Sequence, residues 1–305
     1  MDKIPVGRTI GHAYSFAFKK FFSIIGLIWF PFAILVAGVI ALGFVSADAP
    51  TALVSSNPAA MARIWFLLLP FYVFATAVSF MLIVGIMQFA LGLRPPTYFY
   101  FSLGKPVWKL LAAFILVILL MIAFVAVFAV GALLIGMVVA ALTGVKPGVK
   151  PTGGAAALLG IGAFILFAVV YCGFIYGLVR QTFFLTPVVV AEDRIGLGRA
   201  WKLGRGNFWR MFVILVAVFG PIVLVEVAVV FGFIMHGLPP TAAQGATPEQ
   251  IMAWNAQNVA RIKQYWFVLA PAYFVFLTII YGLLCGAQAF AYRSLVPVEK
   301  AEDVF

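Results

Sequence analysis

Nine acidic residues, two histidines and two cysteines in 305 leave this chain little material for reaction chemistry. Cys172 and Cys285 have neither metal-ligand nor redox spacing, so they read as small apolar packing residues. There is no nucleophile elbow, no P-loop and no histidine-acid metal spacing. No catalytic residue, metal site or cofactor is therefore expected. Charge itself is scarce at 10% of residues, and no nucleic-acid-binding module accompanies the net charge of +11. That excludes nucleic acid as the expected partner.

What the chain has in excess is apolar surface. It is 65% hydrophobic with a mean hydropathy of +1.16, far beyond a domain that water keeps in solution. Crossing a hydrocarbon core takes about 20 helical residues, and six runs are long enough: 21–45, 64–93, 110–142, 155–178, 211–235 and 266–292. The runs are continuous and lack the alternation of a lipid-facing strand. Helices, which satisfy their own backbone groups, are the spanning form they predict.

Basic residues are distributed unevenly between the two sides. Of 20 lysines and arginines, fifteen fall on the side of both termini, and Arg63, Lys146, Lys150, Arg261 and Lys263 fall on the other. The positive-inside rule makes both termini cytoplasmic. Tryptophans agree, with Trp108 and Trp209 at the inner boundary and Trp65 and Trp266 at the outer. In this topology His12 and His236 begin on opposite faces of the membrane. Lys19-Lys20, the first apolar run and Val45-Ser46-Ala47 imitate a signal peptide. The run is about twice the length of an h-region, so it reads as an uncleaved first span.

A repeat underlies this layout. Gly11-His12-Ala13-Tyr14 followed by Lys19-Lys20-Phe21-Phe22 aligns without gaps to Gly198-Arg199-Ala200-Trp201 followed by Gly206-Asn207-Phe208-Trp209. Leu103 to Lys109 is a weaker third copy. In the first copy His12, Ser15 and Lys19 share a polar face opposite Ile10, Ala13, Tyr14, Ala17 and Phe21, which suits a helix lying in the headgroup layer. In the copy before the fifth run, Arg199, Lys202 and Arg205 form the wet face, and Leu197 and Trp201 the buried one. Even-numbered spans also match: Leu69-Pro70-Phe71-Tyr72 answers Ala270-Pro271-Ala272-Tyr273, and Ile175-Tyr176-Gly177-Leu178 answers Ile280-Tyr281-Gly282-Leu283. The expected fold is an all-α polytopic bundle of six transmembrane helices forming a single integral membrane domain. It comprises three pseudo-repeats, each a cytoplasmic interfacial amphipathic helix plus two spans.

Gly173 with Gly177 and Gly282 with Gly286 form small-xxx-small pairs suited to close helix packing. Loops rich in glycine, proline and small residues are expected at 46–60, 144–154 and 236–246. Beyond the last, Thr247-Pro248-Glu249-Gln250 predicts a capping box that opens a short outer surface helix reaching about Lys263.

Three intramembrane polar residues stand out. Glu226 is the one carboxylate inside a span, expensive at that depth and so a candidate proton or ion site, or else a group that reaches the outer interface. Gln88 and Gln288 read as interhelical hydrogen-bonding groups. On the cytoplasmic side Arg180, Glu192, Asp193 and neighbouring cations form the richest polar cluster. Lys19, Lys20, Lys105, Lys109, Arg194, Arg199, Lys202, Arg205 and Arg210 are the candidate headgroup-contacting residues. The plain alternative is that these charges only set topology.

The stretch Leu185-Thr186-Pro187-Val188-Val189-Val190-Ala191-Glu192-Asp193, with Gly198-Arg199-Ala200-Trp201-Lys202-Leu203 and Phe208-Trp209-Arg210, resembles the glycerophosphoryl diester phosphodiesterase membrane domain family and related six-helix bacterial inner-membrane proteins. The resemblance implies a bacterial inner-membrane location. A soluble phosphodiesterase barrel, to which that membrane domain is sometimes fused, takes about 200 residues, and six spans leave no room for one. The expectation is a non-enzymatic multi-pass protein that engages membrane phospholipids in envelope or lipid homeostasis, alone, as a homo-oligomer or with a membrane protein partner. Two rivals stay open. One is a transporter or channel with Glu226 in its pathway; the other is a membrane enzyme with polar groups converging on His12 and the Glu192 loop.

Overall fold

The structure is a computed structural model that describes residues 3–45, 58–95, 97–143, 153–235 and 247–296. Among these there are nine α-helices and no strand. In chain order they are α1 (Val6–Lys19), α2 (Phe21–Val45), α3 (Pro58–Ala90), α4 (Lys105–Thr143), α5 (Gly153–Thr182), α6 (Leu185–Glu192), α7 (Leu197–Leu203), α8 (Phe208–Met235) and α9 (Pro248–Leu295). Six of them, α2, α3, α4, α5, α8 and α9, are long and apolar enough to cross a membrane.

These six helices touch in chain order, α2 on α3, α3 on α4, α4 on α5, α5 on α8 and α8 on α9, and α9 closes back on α2. One end of the ring holds Lys3 and Val296; we term it proximal. The buried apolar core of the long helices lies toward this end, Ile24 to Ile28 in α2, Ala77 to Met87 in α3, Val107 to Val117 in α4, Val179 in α5, Met211 to Ile222 in α8 and Leu283 to Tyr292 in α9, with Pro31 and Thr278 buried somewhat farther along. The short helices explain this. α1 packs on α9, α8 and α2, and α6 packs among α3, α4, α5 and α9, so both add apolar contact at the proximal end only.

α6 is the element the sequence conceals. Eight residues with five in a row apolar or proline give no readable period, yet Leu185, Pro187, Val188, Val189 and Val190 are all buried. What reads as part of a cytoplasmic loop is a helix at the centre of the core.

α1 differs from expectation in what it faces. Its Ala13 and Ala17 are fully buried, turned toward protein instead of lipid. A Cβ added to Gly286 would lie 3.3 Å from the Ala13 Cα, and one added to Gly282 would lie 3.2 Å from the Ala17 Cα. Lipid tails are as apolar as leucine, so helices in a bilayer associate by such close backbone approach and by hydrogen bonds. The other glycine pair faces only side-chain ends: a Cβ added to Gly173 would lie 3.3 Å from Phe124 Cζ, and one added to Gly177 would lie 3.6 Å from Met121 Cε.

Two expected helices do not form as separate elements. Residues 97–104 are non-helical, and α4 starts directly at Lys105. Pro95 and Pro96 each deny the preceding residue helical geometry, and Gly104 disfavours a helical turn just ahead of Lys105. The outer surface helix expected from Thr247 to Lys263 is instead the first part of α9, because residues 249–270 contain neither glycine nor proline to interrupt it. Its start is as expected: Thr247 Oγ1 accepts from the Gln250 N–H, and the Thr247 N–H donates to Gln250 Oε1 at 2.9 Å. At a rise of about 1.5 Å per residue, its 48 residues extend well beyond a hydrocarbon core of about 30 Å. The expected loops at 46–60, 144–154 and 236–246, with Lys146, Lys150 and His236, fall almost wholly outside the described residues.

Candidate functional site

The proximal end carries the polar chemistry. α6 terminates at Asp193, which takes the left-handed conformation with φ 46°, and Lys109 from the first turns of α4 lies 2.8 Å from its carboxylate and also donates to its carbonyl oxygen. A cation there meets both a formal charge and the negative end of the α6 dipole. Next to it, Glu192 accepts from Arg194 Nε at 2.8 Å and from Arg194 Nη2, from Arg199 Nε at 3.2 Å and from the Tyr292 hydroxyl at 3.0 Å. With its side chain only 13% exposed, Glu192 ties α6, α7 and α9 together as a strut. Arg293, one residue on, donates through Nη2 to the Leu91 carbonyl just past α3, where Gly92 (φ 70°) leaves room for the guanidinium.

The segment before α1 is held just as tightly. The Ile4 N–H donates to Asn207 Oδ1 at 3.2 Å, and its carbonyl accepts from Arg210 Nη1 at 2.7 Å. Ile4 is fully buried as a result. On α1 the His12 ring stacks on Phe290, centroids 4.7 Å apart. Burial against that neighbour, and secondarily the Arg293 charge, hold its pKa below the ordinary 6.5. Among the described residues no hydrogen bond links His12 to Glu192.

Arg180, two residues before the end of α5, is the most buried cation of the set at 8% exposure. Its Nε donates to the Trp201 carbonyl at 3.2 Å and its Nη1 to the Tyr176 hydroxyl at 2.8 Å. Its guanidinium carbon sits 3.9 Å from the Trp201 ring centroid. Gly204 makes this possible: a Cβ there would stand 2.8 Å from Arg180 Cγ.

The nine basic residues singled out from the sequence thus divide by role. Lys109, Arg194, Arg199 and Arg210 are engaged in the internal links just described. Lys19, Lys20, Lys105, Lys202 and Arg205 are exposed, and none of them forms an ion pair among the described residues. Exposed aromatic residues are close to them in sequence: Phe18, Phe22, Tyr98, Phe99, Trp108, Trp201 and Trp209. The sequence reading put Asn207 in a repeat copy and counted Arg293 among the basic residues on the side of the termini, but it singled out neither of them, nor Tyr292, as a site residue. Arg293, a basic residue in the last turn of α9, had a readable signal; Tyr292 had none.

Thr97 and Tyr98, with Phe22 and Ser23, line a small cavity of about 130 Å³ beside this rim. Thr97 Oγ1 is buried there with no hydrogen-bond partner among the described residues. Nearby, burial pushes the Tyr100 hydroxyl above its ordinary pKa against the opposing pull of Arg94, whose guanidinium lies 4.7 Å from the ring centroid.

The intramembrane polar residues do not come together. Gln288 is buried in α9 and Gln88 half-buried near the end of α3, with no hydrogen bond between them among the described residues. Glu226 lies in residues 223–229 of α8, all exposed, far from the proximal network, and among the described residues it has no hydrogen-bond or ion-pair partner. No family model matches the chain, and no curated protein and no solved structure matches it either.

Proposed function

We propose that this is a non-enzymatic multi-pass protein of a bacterial inner membrane whose proximal end faces the cytoplasm and binds phospholipid headgroups. One observation carries the reading: five exposed cations that form no ion pair among the described residues, Lys19, Lys20, Lys105, Lys202 and Arg205, are interspersed in sequence with exposed aromatic residues where the chain enters α2, α4 and α8. Aromatic side chains prefer the headgroup level, and each basic residue near an anionic leaflet gains about 1 kcal/mol. The internal links of Glu192, Arg293 and Arg210 hold that rim rigid, so little ordering is needed on binding.

A threefold construction supports the same reading. Gly286 on the sixth span is covered by Ala13 and Phe16, and its sequence equivalent Gly85 on the second is covered by the Tyr100 ring, with a Cβ position 2.6 Å from Cε1. Ala13 and Ala200, equivalent in the repeat, are both fully buried. Three units, each a segment that turns along the membrane surface followed by two spans, would present three basic and aromatic edges to one leaflet.

Thermal unfolding in nanodiscs tests the proposal. Phosphatidylglycerol is expected to raise the midpoint over phosphatidylcholine at equal chain length, and substitution of Lys19, Lys20, Lys202 and Arg205 by glutamine to remove most of that gain. Equal midpoints in the two lipids would overturn it. Orientation is read separately: an impermeant thiol reagent applied to intact cells should leave a cysteine placed at Lys3 unlabelled.

A further inference from the structure

Arg180 is a buried charge that the protein leaves half-compensated. Removing a guanidinium from water costs several kcal/mol unless an anion or a full set of acceptors replaces the lost hydration. Here none of the ion pairs among the described residues involves it. The two nearest carboxylates in sequence, Glu192 and Asp193, are held by Arg194, Arg199, Tyr292 and Lys109 instead. Of its five N–H donors, one on Nε and one on Nη1 have protein acceptors. Nη2 has none among the described residues, and it is not among the fully buried polar atoms that lack a partner, so it keeps a small contact with solvent.

The surroundings show what it reaches. Trp201 and Tyr176, the two rings that flank the guanidinium, are each 39% exposed, so the buried guanidinium lies beside residues that border the surface. The Tyr176 hydroxyl accepts from Arg180, which leaves its own hydrogen free to donate outward. Lys202 and Arg205 stand exposed on the adjoining turn, and no carboxylate among the described residues pairs with them. This is a set of donors with fixed geometry: a guanidinium stacked on an indole, which an oxyanion offering two acceptor oxygens matches better than any point charge.

We infer that Arg180, Tyr176 and Trp201 form a binding subsite for the phosphate of one anionic phospholipid, a conclusion that rests on the headgroup reading above and assigns it a specific pocket. Phosphate fits because the two non-bridging oxygens of a phosphodiester can accept from the uncommitted N–H groups of the guanidinium and from the Tyr176 hydroxyl. The anionic class follows from the absence, among the described residues there, of any acidic group to receive a choline or ethanolamine cation.

Native mass spectrometry of the full chain in neutral maltoside micelles, titrated in turn with phosphatidylglycerol, phosphatidylcholine and inorganic phosphate, tests it. The unaltered protein is expected to retain one phosphatidylglycerol more tightly than the rest. Arg180→Gln should weaken that site at least about tenfold, the loss of one charged bidentate contact, and Arg180→Lys should restore only part. Tyr176→Phe, which keeps the ring packing and serves if the Arg180 variants fail to fold, should weaken it by a few-fold. Undiminished tight retention in a folded Arg180→Gln or Tyr176→Phe protein overturns the subsite while leaving the headgroup reading standing. No preference for phosphatidylglycerol in the unaltered protein overturns both. Inorganic phosphate that displaces the lipid at equal concentration supports the anion pocket but overturns its assignment to lipid.

Discussion

Tyr14 donates its hydroxyl hydrogen to the carbonyl oxygen of Ala217 across 2.9 Å. That carbonyl lies four residues before Pro221, which has no N–H to return the usual helical bond. The tyrosine of α1 thus satisfies a backbone acceptor that proline leaves open inside a membrane-spanning helix, where lipid offers no donor. Tyr14→Phe should therefore cost about 1 kcal/mol in chemical unfolding. In a Pro221→Ala background, where the substituted residue regains an N–H that can reach the Ala217 carbonyl, the loss of the tyrosine hydroxyl should cost much less. Equal losses in both backgrounds would show that the hydroxyl acts elsewhere.

The two glycine pairs are expected to respond oppositely to alanine. At Gly282 and Gly286 the new methyl meets the Ala17 and Ala13 backbone, which cannot step aside without moving α1. Each should lose about 1–3 kcal/mol and expose α1 to hydrogen exchange. At Gly173 and Gly177 the neighbours are the mobile ends of Phe124 and Met121. There Ala should be neutral or stabilising by up to about 1 kcal/mol through helix propensity. Urea or SDS unfolding of the four single variants decides the matter.

Adjacent carboxylates should differ in weight. Glu192 is mostly buried and serves donors from three side chains, so Glu192→Gln should cost about 1.5–3 kcal/mol. Asp193 is 59% exposed and pairs with one lysine. Asp193→Asn, which keeps a residue tolerant of the left-handed conformation, should cost less than about 1 kcal/mol. Matching melting curves for the two variants would contradict this division.

His12 makes stability depend on acidity in a definite sense. Its folded pKa lies below the ordinary 6.5, so in the interval between the two values the unfolded chain holds the extra proton. Stability then rises with pH across that interval; it is fully present above about 6.5 and is lost as pH falls through the folded value. Ring resonances followed by NMR should titrate below 6.5. Arg293→Gln should move that titration part of the way back up, since the arginine is the lesser of two causes.

Six long helices and the Thr247 cap were both legible in the sequence. Each depends on short-range physics: a run of apolar residues too long for water, a threonine that bonds three residues ahead. The same reasoning marked Gly282 and Gly286 as packing positions but not their partner, because α1 is over 260 residues away in the chain. It also read nine cations as one class. Only the tertiary structure separated Lys109, Arg194, Arg199 and Arg210, which brace the core, from Lys19, Lys20, Lys105, Lys202 and Arg205, which face outward.

What residues 185–192 become was likewise a tertiary decision. A short apolar run suits a loop, a strand or a buried helix equally well until α3, α4 and α9 enclose it and leave its backbone no water to bond. Arg180 is the sharpest instance. By sequence it is one more arginine at the end of a span, and it becomes a sheltered guanidinium because Gly204 has no side chain and Trp201 lays its ring across it. Sequence determined which segments leave water for hydrocarbon, since that preference belongs to each residue alone. Structure decided which faces meet, since close approach is a property of pairs.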